Sequence, residues 1–149
     1  MNIWACPSLA APVWSSSACK GTHVMGFWIF CLAMNLLIPV IMLAFGWLFQ
    51  KKPPRRINGV YGYRTARSMK NEETWLFAHK ICGRLWFRLG VILLPASACA
   101  MLPVMGQSVD TVGIWCCVVA TVQLAVLVGS IFPVEQALKR TFDDFGRKR

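Results

Sequence analysis

From Gly26 to Phe49 the chain is apolar except for one strongly polar residue, Asn35. The hydrocarbon core of a bilayer takes about 20 predominantly apolar residues as a helix, so this run predicts a membrane span. Val112–Val134 repeats the pattern, with Gln123 as its polar exception. Leu89–Met105, centred on Ser97, is shorter. Trp86 and Phe87 lengthen its apolar contact, and Arg88 can snorkel back to the headgroups. Of 149 residues, 56% are hydrophobic and 15% charged, whereas a soluble domain carries about a quarter charged residues. The expected fold class is an all-α integral membrane protein with three transmembrane helices.

The formal net charge is +10, and its distribution says more than its size. Ten of the sixteen basic residues fall between Lys51 and Arg88, and five more follow Phe132: Lys139, Arg140, Arg147, Lys148 and Arg149. The connection around Gly106–Thr111 carries no base and one acid, Asp110. Bases gathered beside apolar spans mark cytoplasmic loops. The expected topology is therefore N-out and C-in. A nucleic-acid binder would present such bases on a soluble fold, and direct nucleic-acid binding is not expected.

Three regions follow. Residues 1–24 read as an external segment: Pro7, Pro12 and Ser15–Ser17 interrupt them, and no basic stretch precedes an apolar core as in a secretory signal. Met25 is an alternative start. Residues 25–134 hold the three spans, and 135–149 form a basic cytoplasmic tail. Cys6 and Cys19 would be able to pair if that end is extracytoplasmic, whereas Cys31, Cys99, Cys116 and Cys117 lie inside apolar runs and act there as small hydrophobes.

Most of the chain's polar chemistry is concentrated in "GYRTARSMKNEETWLFAHKICGRLW", Gly62–Trp86. Pro53 and Pro54 end the first helix. Gly59 and Gly62 flank Tyr61 and suit a turn. Asn71 or Ser68 can cap a helix whose first turn holds Glu72 and Glu73, where the macrodipole favours acids. Trp75, His79, Cys82 and Trp86 then fall on one helical stripe. This predicts an amphipathic surface helix in the loop between spans one and two, feeding into span two, with the two tryptophans as interface anchors.

These residues resemble the signature of the SdpI family of bacterial membrane proteins, in which a G-x-R-T segment leads into an E-E-x-W-x-x-[AT]-H helix. Here it is carried by Gly62, Arg64, Thr65, Ser68, Met69, Asn71, Glu72, Trp75, His79 and Gly83, and with the flanking spans the resemblance covers Asn35–Gly106. It implies an immunity-type membrane protein, protecting the cell against a membrane-active peptide toxin and signalling through its basic cytoplasmic face. The family is also associated with holding a transcriptional repressor at the membrane. Its best-known member carries further spans before the motif; this chain has one before it and two after.

The residues themselves leave two readings of the motif open. In one, Arg64, Glu72, Glu73, Trp75 and His79 form a cytoplasmic-face binding site. In the other they are a structural clamp, in which the fork of Arg64 grips Glu72 or Glu73. Asn35, Ser97 and Gln123 lie near the middle of their spans, where polar side chains bind helices together, and Asn35 and Gln123 are expected partners. No cofactor is expected: no Cys/His spacing suits a structural metal, and no nucleophile has an evident base beside it. The expected partners are membrane lipids and either a peptide toxin or a cytoplasmic regulator. The alternative is a membrane-anchored module that captures a soluble regulator or anionic lipid; a transporter subunit or enzyme has least support.

Overall fold

No water reaches the hydrocarbon core, so a spanning segment must satisfy its backbone internally. In the computed structural model all three apolar runs do so as helices. The structure describes residues 14–57, 60 and 62–149, with side chains from Thr22 onward. The elements are α1 (Trp14–Lys51), α2 (Glu72–Met101), a short 3-10 turn (Leu102–Val104), α3 (Val109–Gly129) and α4 (Ile131–Thr141). Three stretches are long and apolar enough to cross a membrane: Thr22–Lys51, Glu72–Val104 and Val109–Thr141. The protein is all-helical; among the described residues the only extended pairing is an isolated bridge between Phe142 and Lys148.

The largest interface joins α1 to α2. Glycines let the two backbones approach. A Cβ on Gly46 would lie 2.6 Å from the backbone nitrogen of Phe87, and one on Gly83 would lie 2.9 Å from Phe49 Cβ and 3.1 Å from Gly46 O. Close approach through small residues is how membrane helices gain dispersion energy when lipid removes the hydrophobic drive. Gln50 sits beside this crossing and donates Nε2 to Gly46 O (3.0 Å) and Gly83 O (3.2 Å). Outward faces stay apolar and exposed, as with Ile29, Phe30, Ile92, Ile114 and Val122.

The backbone refines the sequence reading in three places. The motif helix is not a separate amphipathic element in the first loop: the backbone runs unbroken from Glu72 to Met101, so motif and span two share one helix. The segment 135–149, read as a basic tail, is partly helical. α4 continues to Thr141, and the remainder folds back, with Arg149 N–H donating to Thr141 O and Asp143 N–H to Arg147 O. Helix α1 starts at Trp14, ahead of the apolar run that begins at Gly26. The proposed Cys6–Cys19 pair lies outside the residues whose side chains are described.

Candidate functional site

The motif builds a polar cap over the end of the bundle where α1 ends and α2 begins. Asn71 is the N-cap of α2. Its Oδ1 accepts from Thr74 N–H at 2.8 Å, and Thr74 Oγ1 accepts from Asn71 N–H at 3.2 Å. This capping box satisfies two of the donors a helix start leaves open, and Glu72 and Glu73 fill the first turn. The preceding loop is closed by a reciprocal pair. Ser68 Oγ accepts from Thr65 N–H (2.9 Å), and Thr65 Oγ1 accepts from Ser68 N–H (3.2 Å). The Ser68 hydroxyl donates to Tyr63 O (2.9 Å).

His79 is the centre of the cap and is completely buried. Its Nδ1 lies 2.7 Å from Trp75 O and its Nε2 accepts the Tyr63 N–H at 3.0 Å. One nitrogen must donate and the other accept, so the ring is neutral with its proton on Nδ1. Gly62, at φ 122°, makes the approach possible: a Cβ there would collide with His79 Nε2. Phe49 of α1 meets the ring edge-on at 4.9 Å between centroids.

Trp75 is also fully buried, and its Nε1 donates to Pro54 O at 2.8 Å. It is thus a core plug holding the loop after α1, not the interface anchor its type and position suggested. Trp86 is half-buried and donates Nε1 to Ser130 Oγ (2.9 Å), tying α2 to the α3–α4 junction. Tyr63 extends the cap to α4, with its hydroxyl 3.3 Å from both Ile131 O and Glu135 Oε1. Burial, and then the Glu135 carboxylate, push the Tyr63 phenol well above its usual range.

Arg67, a residue the sequence reading passed over, carries two ion pairs. It lies 3.2 Å from Asp144 Oδ1 and 4.0 Å from Glu135 Oε2. This clamp joins the loop to α4 and the C-terminal fold, whereas the sequence reading placed one between Arg64 and Glu72 or Glu73. Glu72 and Glu73 are exposed on the first turn of α2, while Arg67 looks across at α4. Lys70 Nζ donates to Asp144 O, and Asn71 Nδ2 donates to Gly146 O at 2.6 Å, so the motif also holds the terminal segment. Backbone donors from Arg147 and Phe145 lower the Asp143 carboxyl.

The three mid-span polar residues are all buried. Gln123 Nε2 donates to Ser97 Oγ at 2.7 Å, and the Ser97 hydroxyl donates to Leu93 O at 2.6 Å. Asn35 is not the partner of Gln123. Its Nδ2 lies 3.1 Å from Cys31 O and 3.0 Å from Cys116 Sγ. Cys116 and Gln123 are seven residues apart on α3, about 10 Å along a helix, so the two amides occupy different layers. Among the described residues no group of three or more His, Cys, Asp or Glu side chains is placed to hold a metal ion.

An all-helical chain with three membrane-length spans and a polar cap at one end defines a multi-pass membrane protein. Residues 55–134, just over half of the chain, match the SdpI/YfhL protein family, and the chain belongs to that family. It is similar to the uncharacterized protein YfhL of Bacillus subtilis (strain 168), with 38% identity over 53 residues, which is 36% of this chain and 48% of that protein. The chain thus aligns with about half the length of the curated relative it matches. No solved structure matches it.

Proposed function

We propose that this SdpI-like protein protects its cell against a membrane-active peptide toxin from the cytoplasmic membrane, N-out and C-in, by binding rather than catalysis. The observation that carries this reading is the cap, in which one buried histidine joins the loop, α1 and α2 and the loop in turn holds the C-terminal segment. Such a unit suits coupling an event in the spans to the cytoplasmic face. Family membership supports an SdpI-like role. The orientation rests on the bases flanking the cap. A toxin-challenge assay tests the function: a sensitive host expressing this gene should outgrow an empty-vector control when exposed to a sporulation-delay-type toxin. Equal killing of both strains would refute it. A C-terminal alkaline phosphatase fusion should be inactive, and an active one would reverse the topology.

A second reading, a membrane-anchored module for a soluble regulator or anionic lipid, draws on the exposed bases Lys51, Lys52, Arg55, Arg84 and Arg88 around the cap. Under that reading the purified protein retains an acidic protein or anionic lipid that charge-reversed variants lose, while toxin sensitivity is unchanged.

A further inference from the structure

Three helices leave the hydrocarbon at one level on the cap side. α3 has 21 residues from Val109 to Gly129, about 31 Å at 1.5 Å per residue, which matches a hydrocarbon core of about 30 Å. Ser130, the next residue, accepts the Trp86 Nε1 proton at 2.9 Å, and a Cβ on Gly46 would lie 2.6 Å from Phe87 N. Gly46, Trp86 and Ser130 therefore mark the boundary. Arg88 lies on its membrane side and Arg84 on its cap side, one turn apart on one face of α2. Both are exposed, and among the described residues neither has an ion pair or a hydrogen bond. A charge at the edge of the hydrocarbon is expensive unless an anion meets it. Beyond Arg88 the same face turns apolar. Ile92 is 64% exposed, and Ala96 opens onto a groove of about 240 Å³ between α2 and α3, walled by Ala100, Val118 and Val122. From Arg88 to Ala96 is about 12 Å along the helix.

We propose that Arg84, Arg88 and this groove bind one anionic phospholipid of the cap-side leaflet. Two unpaired guanidiniums at the boundary and an apolar groove within the bilayer have the layout of such a lipid. The phosphodiester sits between the two arginines, whose planar forks suit phosphate oxygens bidentately. One acyl chain passes Ile92 and lies in the groove. Charge selects the headgroup. The chain has six acids, and none pairs with either arginine: Glu135 and Asp144 meet Arg67, and Asp110 lies in the first turn of α3, at the other end of the bundle. The ammonium of a zwitterionic headgroup is repelled by this uncompensated positive charge, and a glycerol headgroup is not. Basic pockets beside membrane helices recognise anionic headgroups in this way. The site gives residues to the second reading above, on which its partner class rests, and adds a seat for the chain.

The full chain in detergent is mixed with equal amounts of phosphatidylglycerol and phosphatidylethanolamine, and the lipid kept after detergent release is counted by native mass spectrometry. The expected result is one phosphatidylglycerol per chain, retained in preference to phosphatidylethanolamine. Arg84→Gln and Arg88→Gln should each lower its retention roughly fivefold. Arg84→Lys/Arg88→Lys keeps both charges and should hold more lipid than the double glutamine variant, which separates lost charge from misfolding. Ala96→Phe fills the groove and should lower retention with both arginines intact. Equal retention of the two lipids, or undiminished phosphatidylglycerol in Arg84→Gln/Arg88→Gln or in Ala96→Phe, would overturn the proposal. A lipid-free dimer that Ala96→Phe dissociates would assign the groove to a second copy of the chain and overturn it too. Loss of phosphatidylglycerol only when Lys51, Lys52 and Arg55 are neutralised would sink this site and leave the anionic-lipid reading standing, whereas a parent that retains none would end both.

Discussion

His79 Nε2 occupies the space a side chain on Gly62 would fill, and from there it accepts the N–H of the next residue, Tyr63. The left-handed φ of 122° at Gly62 and the histidine 17 positions later are thus one device. Gly62→Ala should impose strain of about 1–3 kcal/mol and force the ring aside. The thermal midpoint in detergent should fall and C-terminal proteolysis should speed up. An unchanged midpoint would show that the loop relaxes around the added methyl.

His79→Ala removes the acceptor and leaves a buried backbone donor unmet, at a cost of about 1–3 kcal/mol. It also removes the ring that Phe49 and Trp75 pack against. A double-mutant cycle with Gly62→Ala should be strongly non-additive, since the two changes damage the same contact. Additive losses would separate the two residues.

Tyr63 offers a pH test. Its phenol is raised by burial and by Glu135, while an unfolded tyrosine ionises near pH 10. Above that pH the folded state holds a proton the unfolded state has lost, so stability present at neutral pH declines as pH climbs. In a Tyr61→Phe background, phenolate absorbance should appear only beyond the usual tyrosine range, together with loss of structure. Ordinary titration near pH 10 in the intact protein would contradict the buried placement.

The Arg67 pairs call for a modest expectation. Asp144 is largely exposed, so the bridge is worth at most about 1 kcal/mol. Arg67→Ala should leave the global midpoint nearly unmoved yet raise protease access after Thr141. Arg64→Ala should not reproduce that local effect. Equal effects from both would show that the terminal segment depends on the loop as a whole and not on the Arg67 pairs.

At mid-span, Ser97→Ala strands the Gln123 amide. Membrane hydrogen bonds measured this way average about 0.6 kcal/mol, so a small loss is expected, and Ser97→Ala/Gln123→Leu should recover part of it because neither partner then remains unmet. A double variant less stable than either single one would argue for a further role of Gln123.

The spans were legible because hydropathy over about twenty residues is a local property, and so was the Asn71 cap, whose partners lie within three positions. The stripe of Trp75, His79 and Cys82 was legible too, as helical periodicity fixes which residues share a face. What turns on contacts between distant segments was not. Nothing in the sequence marks Arg67; its carboxylates come from α4 and from the segment that folds back after it. Trp75 carries the composition of a belt residue, but the carbonyl of Pro54 draws it inward. Asn35 and Gln123 look matched by depth, yet the offset between helices sets them in separate layers.

The unbroken backbone of α2 has a mechanical consequence. From Glu72 to Pro95 the helix rises about 35 Å at 1.5 Å per residue, which exceeds the hydrocarbon thickness of about 30 Å. The cap and the middle of span two are therefore joined by one continuous helix, with the Gly46–Gly83 crossing near its cap end. A tilt of this helix within the lipid carries with it the cap, where His79 and Asn71 sit. Span two has a transmission shaft built into its secondary structure, and the C-terminal segment hangs from the end that swings.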